Sequence, residues 1–190
     1  MIFCGLDLAV KKEDVLVKII DVNLYHKIIK IFECKDLIKL VNEIMDCDVL
    51  AIDSPFSLSI GYRSVDKEMI KEGFRVFPPN FIKDLVKKNL NLLDLLKEKG
   101  FKGSIVETHP RSSEKASKID REMIMRVINH PLSRDEADAF LCALTAIAFK
   151  KRISKMFKAE DGEIHILSDQ AFSLLNQFVN KKIIIERFRC

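Results

Sequence analysis

The stretch that most constrains the fold is "AFLCALTAIAF", residues 139–149, which is apolar almost all round. Ser133 and Glu136 stand three residues apart just before it, the spacing of a capping box, and predict a helix over about 133–151. A helix without a polar face belongs in an interior, so the rest of the chain must supply layers that enclose it. The same helix carries Asp135 and Asp138, three apart and therefore on one face. Ionised carboxylates on a poorly solvated helix are costly unless something compensates them.

The layers are readable from periodicity. "IFCGLDLA" (2–9), "DVLVKII" (14–20) and "YHKIIKIFE" (25–33) read as strands joined by short polar turns, an antiparallel meander. "KDLIKLVNEIM" (35–45) has helical apolar spacing, and the continuous apolar run "VLAID" (49–53) suits a central strand covered on both faces. A short helix is expected over 64–73. A long amphipathic one is expected over 78–100, with proline at its start and glycine at its end. "SIVE" (104–107) is a further strand, one or two helices fill 112–129, and "EIHIL" (163–167) is a short edge strand. The tail reads as a helix running into a basic strand. Hairpins followed by strand–helix alternation imply an α/β fold, a mixed sheet with helices on both faces.

With 190 residues, the chain is long enough for one domain with a real core. Hydrophobic residues at 48% and charged residues at 32% exclude a disordered chain. No apolar run is long enough to span a bilayer, and "MIFCGLDLAV" reads as a strand rather than a signal peptide, so a cytoplasmic location is expected. The five cysteines contain no CxxC pair and mostly lie in apolar runs, which favours buried reduced thiols over disulfides or zinc. A net charge of +4 permits a polyanionic partner without demanding one.

The chemistry resides in the acids. Three strands end in one: Asp7, Asp53 and Glu107. In the first strand Phe3, Gly5 and Asp7 alternate onto one face, and the carboxyl ends of strands are where open α/β sheets bind ligands. Singly, several of these acids have ordinary explanations. Asp53 before Ser54 and Pro55 suits an Asx-turn, Glu107 suits a lysine partner, and Asp135 suits a helix dipole. Asp7, inside an apolar strand, and Asp138, a turn into the helix, resist such readings. Taken together, the five acids would repel one another unless protonated or bridged by a hard divalent cation such as Mg²⁺. Two such ions about 3.5–4 Å apart activate a water and stabilise the leaving oxygen of a phosphodiester. There is no Walker loop, GxGxxG or GxSxG motif, the four histidines lack ligand spacing, and no aromatic-rich groove for stacking a single strand is visible.

Asp7 on the first strand, a three-strand meander, an acid ending the fourth strand and Asp-x-x-Asp opening a late helix together resemble the RNase H-like superfamily. "DEADAFLCAL" is similar to the final helix of its Holliday-junction resolvases. "GLDLA", "AIDSPFSL", "GYRSVDKEM", "VETHPRSS", "SRDEADAFLCALTA" and "GEIHIL" resemble a family of predicted RNase H-like nucleases, over residues 2 to about 167. The resemblance implies one RNase H-like domain over 1–190, with a five-stranded sheet and a C-terminal extension at about 168–190. It gives Asp7, Asp53, Asp135 and Asp138 metal-binding roles, with Mg²⁺ or Mn²⁺, and makes Glu107 a further catalytic group. Arg63, Asp66, His109, Arg111 and Arg134 become substrate contacts, Arg63 holding a phosphate by paired hydrogen bonds. One departure is that the fourth-strand acid is often Glu in such nucleases, where this chain has Asp53.

The expected activity is metal-dependent hydrolysis of structured DNA or RNA. The alternatives are a nucleotide-phosphate or phosphotransfer protein of the sugar-kinase and heat-shock ATPase branch, for which a homodimer would supply the second domain, or a catalytically silent scaffold.

Overall fold

The computed structural model describes residues 1–21 and 25–190. The polar turn expected between the second and third strands falls largely on 22–24, outside the described residues. The strands are β1 (Ile2–Asp7), β2 (Asp14–Asp21), β3 (His26–Cys34), β4 (Val49–Asp53), β5 (Ser104–Thr108), β6 (Lys155–Ala159), β7 (Gly162–Ile166) and β8 (Lys182–Arg189). The helices are α1 (Leu37–Ile44), α2 (Ser64–Lys71), α3 (Lys83–Glu98), α4 (Pro110–Ser117), α5 (Arg121–Ile128), α6 (Arg134–Lys150) and α7 (Phe172–Asn176).

One sheet runs in the order β6-β7-β5-β4-β1-β2-β3-β8. β1, β2 and β3 form the antiparallel meander, and β4 and β5 follow parallel to β1. These are the five expected strands, but the sheet has eight. β6 and β7 form a hairpin outside β5, so the segment expected as an edge strand is covered by β6. β6, "KMFKA", buries only Phe157 and gives no clear alternation. At the opposite edge β8 adds parallel to β3.

The alternation of each strand divides the core. Phe3, Val17, Ile19, Val49, Ala51 and Val106 face α6, with α5 and α7 contributing to the same cluster. Cys4, Leu6, Leu16, Leu50 and Ile52 face α1 and α3 on the other side. α6 is buried along nearly its whole length, as its composition requires. Gly5 makes its position possible. A Cβ there would lie 2.1 Å from Ala139 O and Ala143 N, so only glycine lets the helix backbone rest directly on β1.

Several boundaries differ from expectation. The 78–100 helix opens as a 3₁₀ turn, Pro79–Ile82, before α3. The 112–129 region resolves into α4 and α5, divided at Lys118, whose φ of 60° ends the first. In the tail, Leu175 and Phe178 enter the α6 cluster, whereas Phe172 is exposed. No helix of the described residues is long and apolar enough to cross a membrane.

The cysteine expectation is overturned. Cys4 bonds to Cys47 and Cys34 to Cys190, leaving Cys142 free and buried in α6. The partners are 43 and 156 residues apart, and it is the strand order that brings their Cα atoms to 6.0 and 4.6 Å. Sequence spacing carries no trace of that.

Candidate functional site

Asp7 and Asp53 end adjacent parallel strands and are register partners. Each continues the alternation that puts Phe3 and Gly5, or Val49 and Ala51, beneath α6. The start of α6 is fixed by its capping box: Ser133 Oγ accepts from the Glu136 N–H at 3.1 Å, and the Glu136 carboxylate accepts from the Ser133 N–H at 2.6 Å. Arg187 of β8 also donates to Glu136, at 2.8 Å. Glu136 is thereby engaged in structure, while Asp135 and Asp138 sit over the strand ends. Asp7, Asp53, Asp135 and Asp138 line one open cleft together with Lys12, Arg111 and Arg134. The sheet and its central helix bring these four acids to a common edge.

Their electrostatics are unusual. Burial pushes the Asp7 carboxyl up to about 7, helped by Asp135, Asp138 and Asp14 and opposed by Lys12. Burial likewise holds Asp53 well above the carboxylate range, with Asp7, Asp138 and Glu107 adding to the effect. Asp138 is raised by burial and by Asp135, against the pull of Arg134, Lys12 and Arg121. Asp135 forms an ion pair with Lys12. Among the described residues, Asp7, Asp53 and Asp138 have no ion-pair partner.

Glu107 belongs to a different arrangement. It pairs in register with Ile52, so it leaves the sheet on the face opposite to Asp53. There it meets Arg63 at the start of α2. Arg63 Nη1 donates to Glu107 Oε2 at 3.0 Å, and Nη2 donates to the other Glu107 oxygen. Nε and Nη2 donate to Asp66 at 3.1 and 2.8 Å. The Phe56 N–H adds a bond to Glu107 at 2.8 Å. Arg63, Asp66 and Glu107 are 3%, 2% and 4% exposed. Arg63 is therefore held in an interior ion-pair network, and it also lines the cavity beside Asp53 and Asp138. Asp161, in the β6–β7 turn, secures this start by accepting from the Val65 N–H at 3.0 Å.

His109 follows β5. Its Nδ1 lies 2.6 Å from Ser112 Oγ, and burial lowers its pKa to about 4, so the ring is neutral at physiological pH. Arg111 and Arg134 are exposed at the rim of the acid cleft.

The donor set can be weighed for a metal. Among the described residues no three His, Cys, Asp or Glu side chains are gathered as a ready metal cluster. Its chemistry nonetheless suits a hard cation. Asp7, Asp53 and Asp138 offer oxygen donors without protein partners, and a divalent ion offsets both the burial of their charge, which is the main cause of their raised pKa values, and their mutual repulsion.

The sequence reading missed a second cavity and its aromatic rim. Next to the acids lies a cavity of about 350 Å³ whose lining includes Asp53, Asp138, Arg111, Thr108 and Phe77. Phe77 is 68% exposed, and Phe81, on the adjoining acid cleft, is 74% exposed. The available signal was "VFPPNF" (76–81), where two phenylalanines stand on either side of the Pro-Pro step that opens the 78–100 helix.

No protein-family model matches the sequence, and no curated protein matches it. Among solved structures, the chain is similar to Thermus thermophilus RuvC, at 11% sequence identity and a TM-score of 0.49, over 80% of this chain and 97% of that one.

Proposed function

We propose that the protein is a divalent-metal-dependent nuclease that hydrolyses phosphodiester bonds of DNA or RNA. The observation that carries this reading is the group of three unpaired, partly buried carboxylates, Asp7, Asp53 and Asp138, on one cleft with basic residues at its rim. These three would hold Mg²⁺ or Mn²⁺, with Asp135 beside them on Lys12. When bound, the metal activates water and neutralises charge on the phosphodiester oxygens. The chain's own residues do the rest. Arg111 and Arg134 bind backbone phosphates, Lys12 tempers the negative field around Asp135 and Asp7, and neutral His109 offers a hydrogen bond without adding charge. Arg63, Asp66 and Glu107 act as a positioning group that fixes the end of β5 next to the cleft.

The test uses Asp138→Asn, which keeps side-chain shape and removes one charge. The wild-type protein is expected to cleave branched or single-stranded nucleic acid with Mg²⁺ or Mn²⁺ and to stop with EDTA, and the variant is expected not to cleave. In EDTA the variant should melt at or above the wild-type temperature, because repulsion is relieved. Mg²⁺ should then stabilise it less than wild type. Saturable ATP binding with no cleavage across a broad DNA and RNA panel overturns the proposal. So does a variant that melts well below wild type in EDTA yet gains as much from Mg²⁺.

A further inference from the structure

We propose that the 350 Å³ cavity beside the acid cleft receives a single unpaired nucleobase of the strand whose phosphate lies at Asp7, Asp53 and Asp138. This deepens the nuclease reading and rests on it. Two clefts meet at the same residues: Asp53, Asp138 and Arg111 line both the open acid cleft and the cavity. A phosphate held in the first therefore has the second within a nucleotide's reach. The cavity volume falls within the usual range for a small-ligand pocket.

Its lining is mixed in the way a base requires. Met69, Val76 and Leu85 supply apolar surface, while Thr108, His109 and Arg111 supply polar groups. The Thr108 hydroxyl is the second observation. Thr108 is 3% exposed, and its Oγ1 has no hydrogen-bond partner. A hydroxyl can both donate and accept and is rarely left alone; this one has almost no accessible surface of its own, so the edge of a base satisfies it only as the cavity wall at the end of β5 shifts to admit the contact.

Phe77 adds the third. Phe77 lines this cavity and Phe81 the acid cleft, both largely exposed on one short segment. Flat exposed rings beside a basic rim are the stacking platforms of single-strand binding, tolerant of sequence because every base has a π-face. A base paired in a duplex cannot enter such a cavity without leaving its stack, so the substrate is unpaired at this nucleotide. An apolar protein partner is disfavoured by the arginine and the unpaired carboxylates that share the cavity wall.

The experiment measures binding of the full chain in EDTA to oligonucleotides containing 2-aminopurine, so the readout does not depend on cleavage. The arms are single-stranded DNA, single-stranded RNA, the blunt duplex, a single strand with one abasic position, and the mononucleotides AMP and CMP. Single strands should bind at least tenfold tighter than the duplex, with a change in 2-aminopurine emission. Phe77→Ala should weaken single-strand binding by roughly 5- to 100-fold, the range for loss of one stacked base, without changing the salt dependence. Arg111→Ala should lower the slope of log K against log salt by about one. Thr108→Val, nearly isosteric, should weaken binding severalfold at a melting temperature no lower than wild type's, since it also removes an unsatisfied buried hydroxyl.

Equal affinity for duplex and single strand overturns the base pocket, as does indifference to Phe77→Ala and Thr108→Val. Mononucleotides binding as tightly as the oligonucleotide also overturn it. In those cases metal-dependent cleavage still decides the nuclease reading separately. Absence of both nucleic-acid binding and cleavage brings down the two together.

Discussion

Two groups of acids stand side by side at the carboxyl end of the sheet and are treated in opposite ways. Asp66 and Glu107 are almost completely buried, and Arg63 engages both of them in one hydrogen-bonded network. Asp7, Asp53 and Asp138 are less buried, yet no protein cation is paired with any of them among the described residues. Burial is thus the weaker guide to function here. A buried charge with its partner is part of the architecture. A half-buried charge without one leaves its compensation to something from outside; burial raises the pKa of the partnered Glu107 as well, so it is the missing partner that sets Asp7, Asp53 and Asp138 apart.

The largest effect expected from this contrast lies on the paired side. Arg63→Met leaves two carboxylates unpaired in the interior and should destabilise the protein by about 3–5 kcal/mol, measured by urea unfolding. A loss below about 1 kcal/mol would erase the distinction drawn between the groups. On the unpaired side, neutralising a charge should do the reverse. Folded Asp7 holds its proton up to about 7 where the unfolded chain releases it near 3.8, so the folded form binds more protons between those values. Its contribution to stability therefore falls as pH rises from about 4 to 7 and stays low above. Asp7→Asn in EDTA should be more stable than wild type at pH 8 by up to about 4 kcal/mol, at about 1.4 kcal/mol for each pH unit of that window. The gain should fade below pH 4. A variant less stable than wild type at pH 8 would place Asp7 among the structural acids. The smallest effect is local. Ser133→Ala removes one cap from α6 and should cost about 1 kcal/mol, a fall of about 2–4 °C in Tm, equal with EDTA and with Mg²⁺. A cost that changes with metal would mean that the cap also sets the spacing of the acids.

Much of this was legible in the sequence because it is local. β1 to β5 announce themselves by alternation or by apolar runs, and α6 by its cap and composition. Asp7 and Asp138 stood out because each breaks a local apolar pattern, whereas Asp53 and Asp135 were found only as members of a set of acids at strand ends and at the start of one helix. What escaped depends on distant partners. Nothing near Glu107 reveals that its partner is Arg63, 44 residues earlier, and nothing near Cys34 points to Cys190. β6 was missed because two of its five residues are lysines, and its place is set by pairing with β7. Phe77 and Phe81 escaped because side-chain exposure follows from the whole surface, whereas a sequence displays only composition.

The contact between Gly5 and α6 bears on how tolerant the site is to change. Side chains set the distance between most packed elements, so a mutation that repacks them also moves whatever those elements carry. Here strand and helix backbones touch, and the gap between them is already at its minimum. The offset between Asp7, two residues along the strand, and Asp138, one residue before Ala139 on the helix, is thereby gauged by main chain alone. Substitutions elsewhere in the core can drift and exchange volume while that gauge stays fixed. Position 5 itself has no such latitude.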